Sequence, residues 1–92
     1  MIHVRWTAPA ADDLTQIVEY IRKDNPEAAH RVARTVFDGA EGLRSFPARG
    51  RIGRAANTRE LVFPPWPYIA VYEISGEEIL ILRIRHASRN WP

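Results

Sequence analysis

Ninety-two residues, close to half of them apolar and a quarter charged, describe one globular domain and exclude a disordered chain. No cysteine is present, so neither a disulfide framework nor a thiolate metal site is possible. The net charge of +2 hides a split, with five basic and seven acidic side chains in residues 1–43 against eight basic and four acidic in residues 44–92, and twelve of the thirteen cations are Arg.

Ile2 to Trp6 reads as a short strand, its apolar residues Ile2, Val4 and Trp6 alternating with His3 and Arg5. This opening lacks the long apolar core of a signal peptide, and the longest pure apolar run, Ile79 to Leu82, is too short to span a bilayer. A soluble, cytoplasmic protein is therefore expected. Thr7 is placed to cap a helix whose start holds Pro9, Asp12 and Asp13, residues that suit a positive helix end. Leu14, Ile17, Val18 and Ile21 supply its buried stripe at helical spacing. Asp24-Asn25-Pro26-Glu27 breaks this helix and starts another, with Asn25 as cap. The second helix carries Ala29, Val32, Ala33, Val36, Phe37, Ala40 and Leu43 on one side, and the two form a helical hairpin.

Phe46-Pro47 closes the second helix, and residues 48–58 read as a loop holding Arg49, Arg51 and Arg54. Three strands follow: Arg59 to Phe63, Tyr68 to Ile74, and Ile79 to Arg85, the last two joined by the hairpin signal Ser75-Gly76-Glu77-Glu78. The order β-α-α-β-β-β predicts an α+β fold, an antiparallel sheet with the helical hairpin on one face. Strict alternation along the last strand sends Leu80, Leu82, Ile84 and His86 to the helices and Ile79, Ile81, Arg83 and Arg85 to the other side. Arg83 and Arg85, joined by Arg59, would form a shallow basic floor rimmed by the Arg49–Arg54 loop and Arg89, with His86 at its edge. Arg presents a planar fork to carboxylate or phosphate, so the floor would take an anion.

The runs Ala11-Asp12-Asp13-Leu14 with Ile17 and Tyr20-Ile21, then Arg59-Glu60-Leu61, Tyr68-Ile69-Ala70-Val71-Tyr72 and Ile79 through Arg89 resemble the RelE/ParE superfamily of toxins over nearly the whole chain. These are the toxin halves of type II toxin–antitoxin pairs, also called plasmid stabilization proteins. The C-terminal pattern of Arg83, His86, Arg89, Trp91 and Pro92 is its most specific part and looks nearer the ParE branch. The resemblance implies a cognate antitoxin that holds the toxin inactive in a hetero-oligomer, with no cofactor required.

The two branches imply different chemistry. A ParE-like toxin poisons DNA gyrase and needs no active site of its own, so Arg49, Arg51, Arg54, Arg59, Arg83, Arg85, Arg89 and Trp91 would serve target or antitoxin binding. A RelE-like toxin cuts mRNA on the ribosome, using cations for the phosphate and an acid–base pair for the ribose hydroxyl and leaving oxygen. Here Arg59, Arg83 and Arg85 would hold phosphate and His86 would move a proton, with Glu60 as its partner. Residues 44–92 hold no lysine and no tyrosine after His86, which favours the ParE-like reading. An inactive homologue that only binds its antitoxin is the third reading. Plainer roles stand beside these: His86 as a structural strand-end residue, Asp12-Asp13 as a helix-start pair, and Trp91 folded over an apolar patch. His3 and His30 have no ligand spacing with carboxylates, so no metal is expected.

Overall fold

A computed structural model describes residues 2–88 and places seven elements: β1 His3–Trp6, α1 Ala8–Arg22, α2 Pro26–Gly42, β2 Arg51–Ile52, β3 Arg59–Phe63, β4 Trp66–Ser75 and β5 Glu78–His86. The caps are those the sequence signals. The Thr7 hydroxyl accepts from the Ala10 N–H at 3.4 Å, and the Asn25 side chain accepts from Ala28 at 3.1 Å with Pro26 as first helical residue. The strands form one sheet in the order β1-β5-β4-β3-β2. β1 runs parallel to β5, and the other pairs are antiparallel. The α+β class and the helical hairpin are as the sequence predicts. β2 is a short strand inside what reads as loop, where Arg51 and Ile52 pair with Glu60 and Arg59.

The apolar stripe of α2 meets the sheet directly. Val32, Val36, Ala40 and Leu43 are buried with Leu61, Phe63, Ala70, Tyr72, Ile79, Ile81 and Ile84, and α1 adds Ala10 with Leu14, Ile17 and Ile21 at the margin. Gly39 permits the close approach of α2 to β3, since a Cβ there would lie 2.5 Å from the Phe63 ring. Tyr72 is the largest fully buried side chain, and its hydroxyl donates to the Pro47 carbonyl at 2.6 Å and accepts from Gly50 N–H at 2.9 Å. That pair of bonds ties the 48–58 loop to the sheet.

Strict alternation on β5 fails, and the reason is a β-bulge. Tyr72 faces Ile81 but Val71 faces Arg83, so β5 spends one extra residue, Leu82, against its neighbour. Below the bulge Ile79 and Ile81 point into the core, paired across from Val4 and Trp6 of β1. Above it the phase has flipped, and Ile84 rejoins the same core. Leu80 and Leu82, expected inside, are only half-buried.

Candidate functional site

Residues directly opposite in a sheet share a face, and successive residues alternate. Arg59 lies opposite Tyr72, whereas Arg83 lies opposite Val71, so Arg59 and Arg83 stand on opposite faces. β4 also separates their strands. The single basic floor expected from the sequence does not form. The cations divide between two ends of the sheet.

At the β2–β3 end they serve the loop. Arg59 donates through Nη1 to the Gly50 carbonyl at 2.8 Å. Glu60 is buried, and its Oε1 accepts from Arg51 Nε and Nη2 at 3.2 and 3.1 Å while Oε2 takes the Arg54 backbone N–H at 3.2 Å. Arg49 lies over the Phe46 ring, 4.9 Å from its centroid. Glu60 therefore organises this loop, and it sits on another strand and the opposite face from His86, which pairs with Tyr68. The Glu60–His86 acid–base pair that a nuclease would have to use here is not assembled.

At the other end, Arg83, Arg85 and His86 line a cleft of about 480 Å³ between α1 and the upper ends of β4 and β5, together with Asp13, Ile17, Tyr20 and Tyr68. Asp13 is the centre of this wall. Its Oδ2 accepts from Arg83 Nε at 2.7 Å and from the Ile84 backbone N–H at 3.0 Å, and its Oδ1 accepts from Arg83 Nη2 at 2.9 Å. Burial alone would raise the Asp13 carboxyl, but the Arg83 hydrogen bond, the Ile84 N–H and the charges of Arg83 and Arg85 outweigh it and hold it below its ordinary value. The same bond raises Arg83, which stays charged. Asp13 is not part of the helix-start pair the sequence suggested, because the first turn of α1 holds no acid. The signal for its real role was present: four residues before Ile17 and seven before Tyr20, it falls on the sheet-facing side of α1.

His86 is fixed by its neighbours. Its ring meets Tyr68 edge-on, with centroids 5.5 Å apart. Its Nδ1 accepts from the Ser88 N–H at 3.2 Å and lies 2.8 Å from Ser88 Oγ. A backbone N–H only donates, so Nδ1 carries the lone pair and a neutral ring keeps its proton on Nε2. Burial, and then Tyr20, pushes the Tyr68 hydroxyl up from its ordinary value, so it remains a neutral phenol in the cleft. Arg89 and Trp91 lie outside the described residues. Among the described residues no three His, Asp or Glu side chains gather as metal ligands would. No helix among them is long and apolar enough to cross a membrane.

The family model for the ParE toxin of the type II toxin–antitoxin system parDE matches residues 4–91. The chain belongs to that toxin family. A ParE-family chain should have relatives of the same length, and it does. It is 44% identical over 89 residues to Y4kP of Sinorhizobium fredii, which carries a toxin designation, covering 97% of this chain and 92% of the relative. It is 43% identical over 89 residues to toxin RelE2 of Caulobacter vibrioides, covering 97% and 99%. Among solved structures it is similar to a chain of the chromosomal ParDE system from P. aeruginosa, with a TM-score of 0.88 and 28% identity over 96% of this chain and 98% of that one. These relatives carry names from both branches of the RelE/ParE superfamily.

Proposed function

We propose that this ParE-family chain is a growth-arresting toxin, held inactive by an antitoxin in a hetero-oligomer, and that its target is DNA gyrase in the cytoplasm. The observation that carries the gyrase reading is the separation of Arg59 from Arg83. A nuclease needs its phosphate-holding cations convergent on one scissile bond. Here Arg59 is bound to the Gly50 carbonyl, Arg83 is engaged by Asp13, and the two stand on opposite faces of the sheet. A gyrase poison needs a binding surface instead, and the cleft beside α1, with Arg85 and Tyr20 in its wall, is the surface available. The antitoxin reading is supported by the ParDE system to which the fold is similar.

A second reading, an mRNA endonuclease, is favoured by one feature: Tyr68, Arg83, Arg85 and His86 share that cleft. Arg83, Arg85 and His86 would then be the groups to mutate, with Arg59 excluded. Inducing the protein without its antitoxin, while following thymidine, uridine and methionine incorporation together, separates the readings. Loss of DNA synthesis first supports gyrase. Loss of protein synthesis first supports the nuclease. If soluble protein accumulates and no synthesis falls, the chain is an inactive homologue that only binds its antitoxin.

A further inference from the structure

The hydroxyls of this chain differ in where their protons go. Thr7 and Thr58 donate theirs to backbone carbonyls, and so does the buried Tyr72. A carbonyl accepts such a hydrogen bond but is no base for its proton. Tyr68 has burial working against its ionisation. Ser88 is different. Its Oγ lies 2.8 Å from His86 Nδ1, and its own backbone N–H reaches the same nitrogen at 3.2 Å. Because the N–H can only donate, Nδ1 presents a lone pair, and the hydroxyl proton is directed at it. Ser88 is exposed, so its oxygen is open to a reagent. The pair is also held in place: His86 lies opposite Tyr68 in the sheet, and the Ala87 N–H donates to the Pro67 carbonyl at 2.8 Å. A serine whose proton is aimed at a fixed imidazole is the arrangement that turns a hydroxyl into a nucleophile.

We propose that Ser88 is a site of covalent acylation, which takes the acyl group of an acyl phosphate with His86 as its base. Oγ attacks the acyl carbon, so an Oγ–C bond forms and the bond from that carbon to the phosphate oxygen breaks. The hydroxyl proton passes to His86 Nδ1 and from there to the departing phosphate, and nothing is oxidised or reduced. Arg83 favours a donor that carries phosphate. It lines the same cleft as His86, stays charged, and gives Asp13 its Nε and Nη2 but not its Nη1. A phosphate oxygen can accept from Nη1 without displacing Asp13. The cleft, at about 480 Å³, has room for so small a donor. The product ester stands at the rim of the cleft, beside His86. This chemistry is independent of the toxin's target, since it needs neither gyrase nor mRNA.

The test treats the full chain with acetyl phosphate and follows it by intact mass and peptide mapping. An acetyl group is expected on Ser88, and hydroxylamine should remove it, as it removes an ester and spares an amide. Acetyl groups on the N-terminal amine or on Lys23, the sole lysine, resist hydroxylamine and are counted apart. Ser88→Ala should lose the labile group entirely. His86→Gln should acquire it about a hundredfold more slowly, the lower end of what a positioned base contributes. The wild-type rate should fall in acid, where a protonated imidazole has no lone pair to offer, and inorganic phosphate should compete with the donor. If His86→Gln does not fold, the acid dependence of the wild type tests the base instead. Absence of a labile acetyl group on Ser88 overturns the proposal. So does an ester that forms equally fast in His86→Gln, or a rate indifferent to inorganic phosphate. A phosphoserine in place of the ester overturns it too, because attack has then gone to phosphorus. Growth arrest is not part of the readout, so failure of the toxin reading and failure of the acylation site are seen separately.

Discussion

Asp13→Ala should be the most damaging single substitution on α1 that removes no apolar packing. The Ile84 N–H belongs to a residue only 4% exposed and would lose its acceptor, a cost of about 1–3 kcal/mol. Arg83 would lose two charge-assisted bonds, but its side chain is 41% exposed and can turn to water, so that loss is discounted to about 0–1 kcal/mol. Together these come to about 1–4 kcal/mol, which for a domain of this size lowers the melting temperature by roughly 4–30 °C. Asp13→Asn keeps the amide's acceptor and should cost about 1 kcal/mol, near 5 °C. Thermal and urea unfolding followed by circular dichroism would measure both. The reasoning is refuted if Asp13→Ala melts within about 3 °C of wild type, or if Asn is as damaging as Ala. The gap between wild type and Asp13→Asn should also depend on pH. The carboxyl is held below its ordinary value in the folded chain, so its stabilisation is complete above the unfolded pKa of about 3.9 and is lost as pH falls through the folded one. The gap should therefore be flat above about pH 5 and close in acid.

Tyr72→Phe removes the hydroxyl that bonds Pro47 and Gly50, and a loss of about 1–3 kcal/mol is expected in urea unfolding. Gly50→Ala should cost a similar 1–3 kcal/mol, roughly, because the new Cβ would lie 2.7 Å from the Tyr72 ring and 2.9 Å from the Glu60 carbonyl. Arg85→Ala should melt within a few degrees of wild type yet lose growth arrest on induction; a fully toxic variant would show that the cleft is not the working surface. Arg59→Ala should instead loosen the 48–58 loop, seen as faster amide exchange at Gly50 and Gly53, while leaving growth arrest in place.

The parts of the fold legible in the sequence are those set by local chemistry. Thr7, Asn25 and Pro26 cap helices through atoms two or three residues away, and the α2 stripe needs only helical periodicity. The same is true of the β4–β5 hairpin, where Gly76 at φ 61° occupies the turn. What the sequence did not reveal depends on partners distant in the chain. Pairing between β1 and β5 joins residues more than seventy apart, and it decides that Ile79 and Ile81, not Leu80, face the helices. The side chains of Ile79, Leu80, Ile81 and Leu82 are all apolar, so alternation alone had no polar residue with which to choose a face.

The candidate site was misread for the same physical reason. On β5 the apolar run extends through the bulge at Leu82, and only Arg83 marks where the polar phase resumes. Counting by twos across that extra residue puts Leu80 and Leu82 on the face of Ile84, whereas Ile79 and Ile81 are the residues that share the core with it. Arg83 and Arg85 do share a face, as expected, because both lie above the bulge. Arg59 is on β3, where no bulge intervenes before Val62, so its face is fixed by Tyr72 and cannot coincide with theirs. One inserted residue thus removes Arg59 from the cluster and gives Arg83 to Asp13. The cations that read as one floor divide between the 48–58 loop and the cleft beside α1.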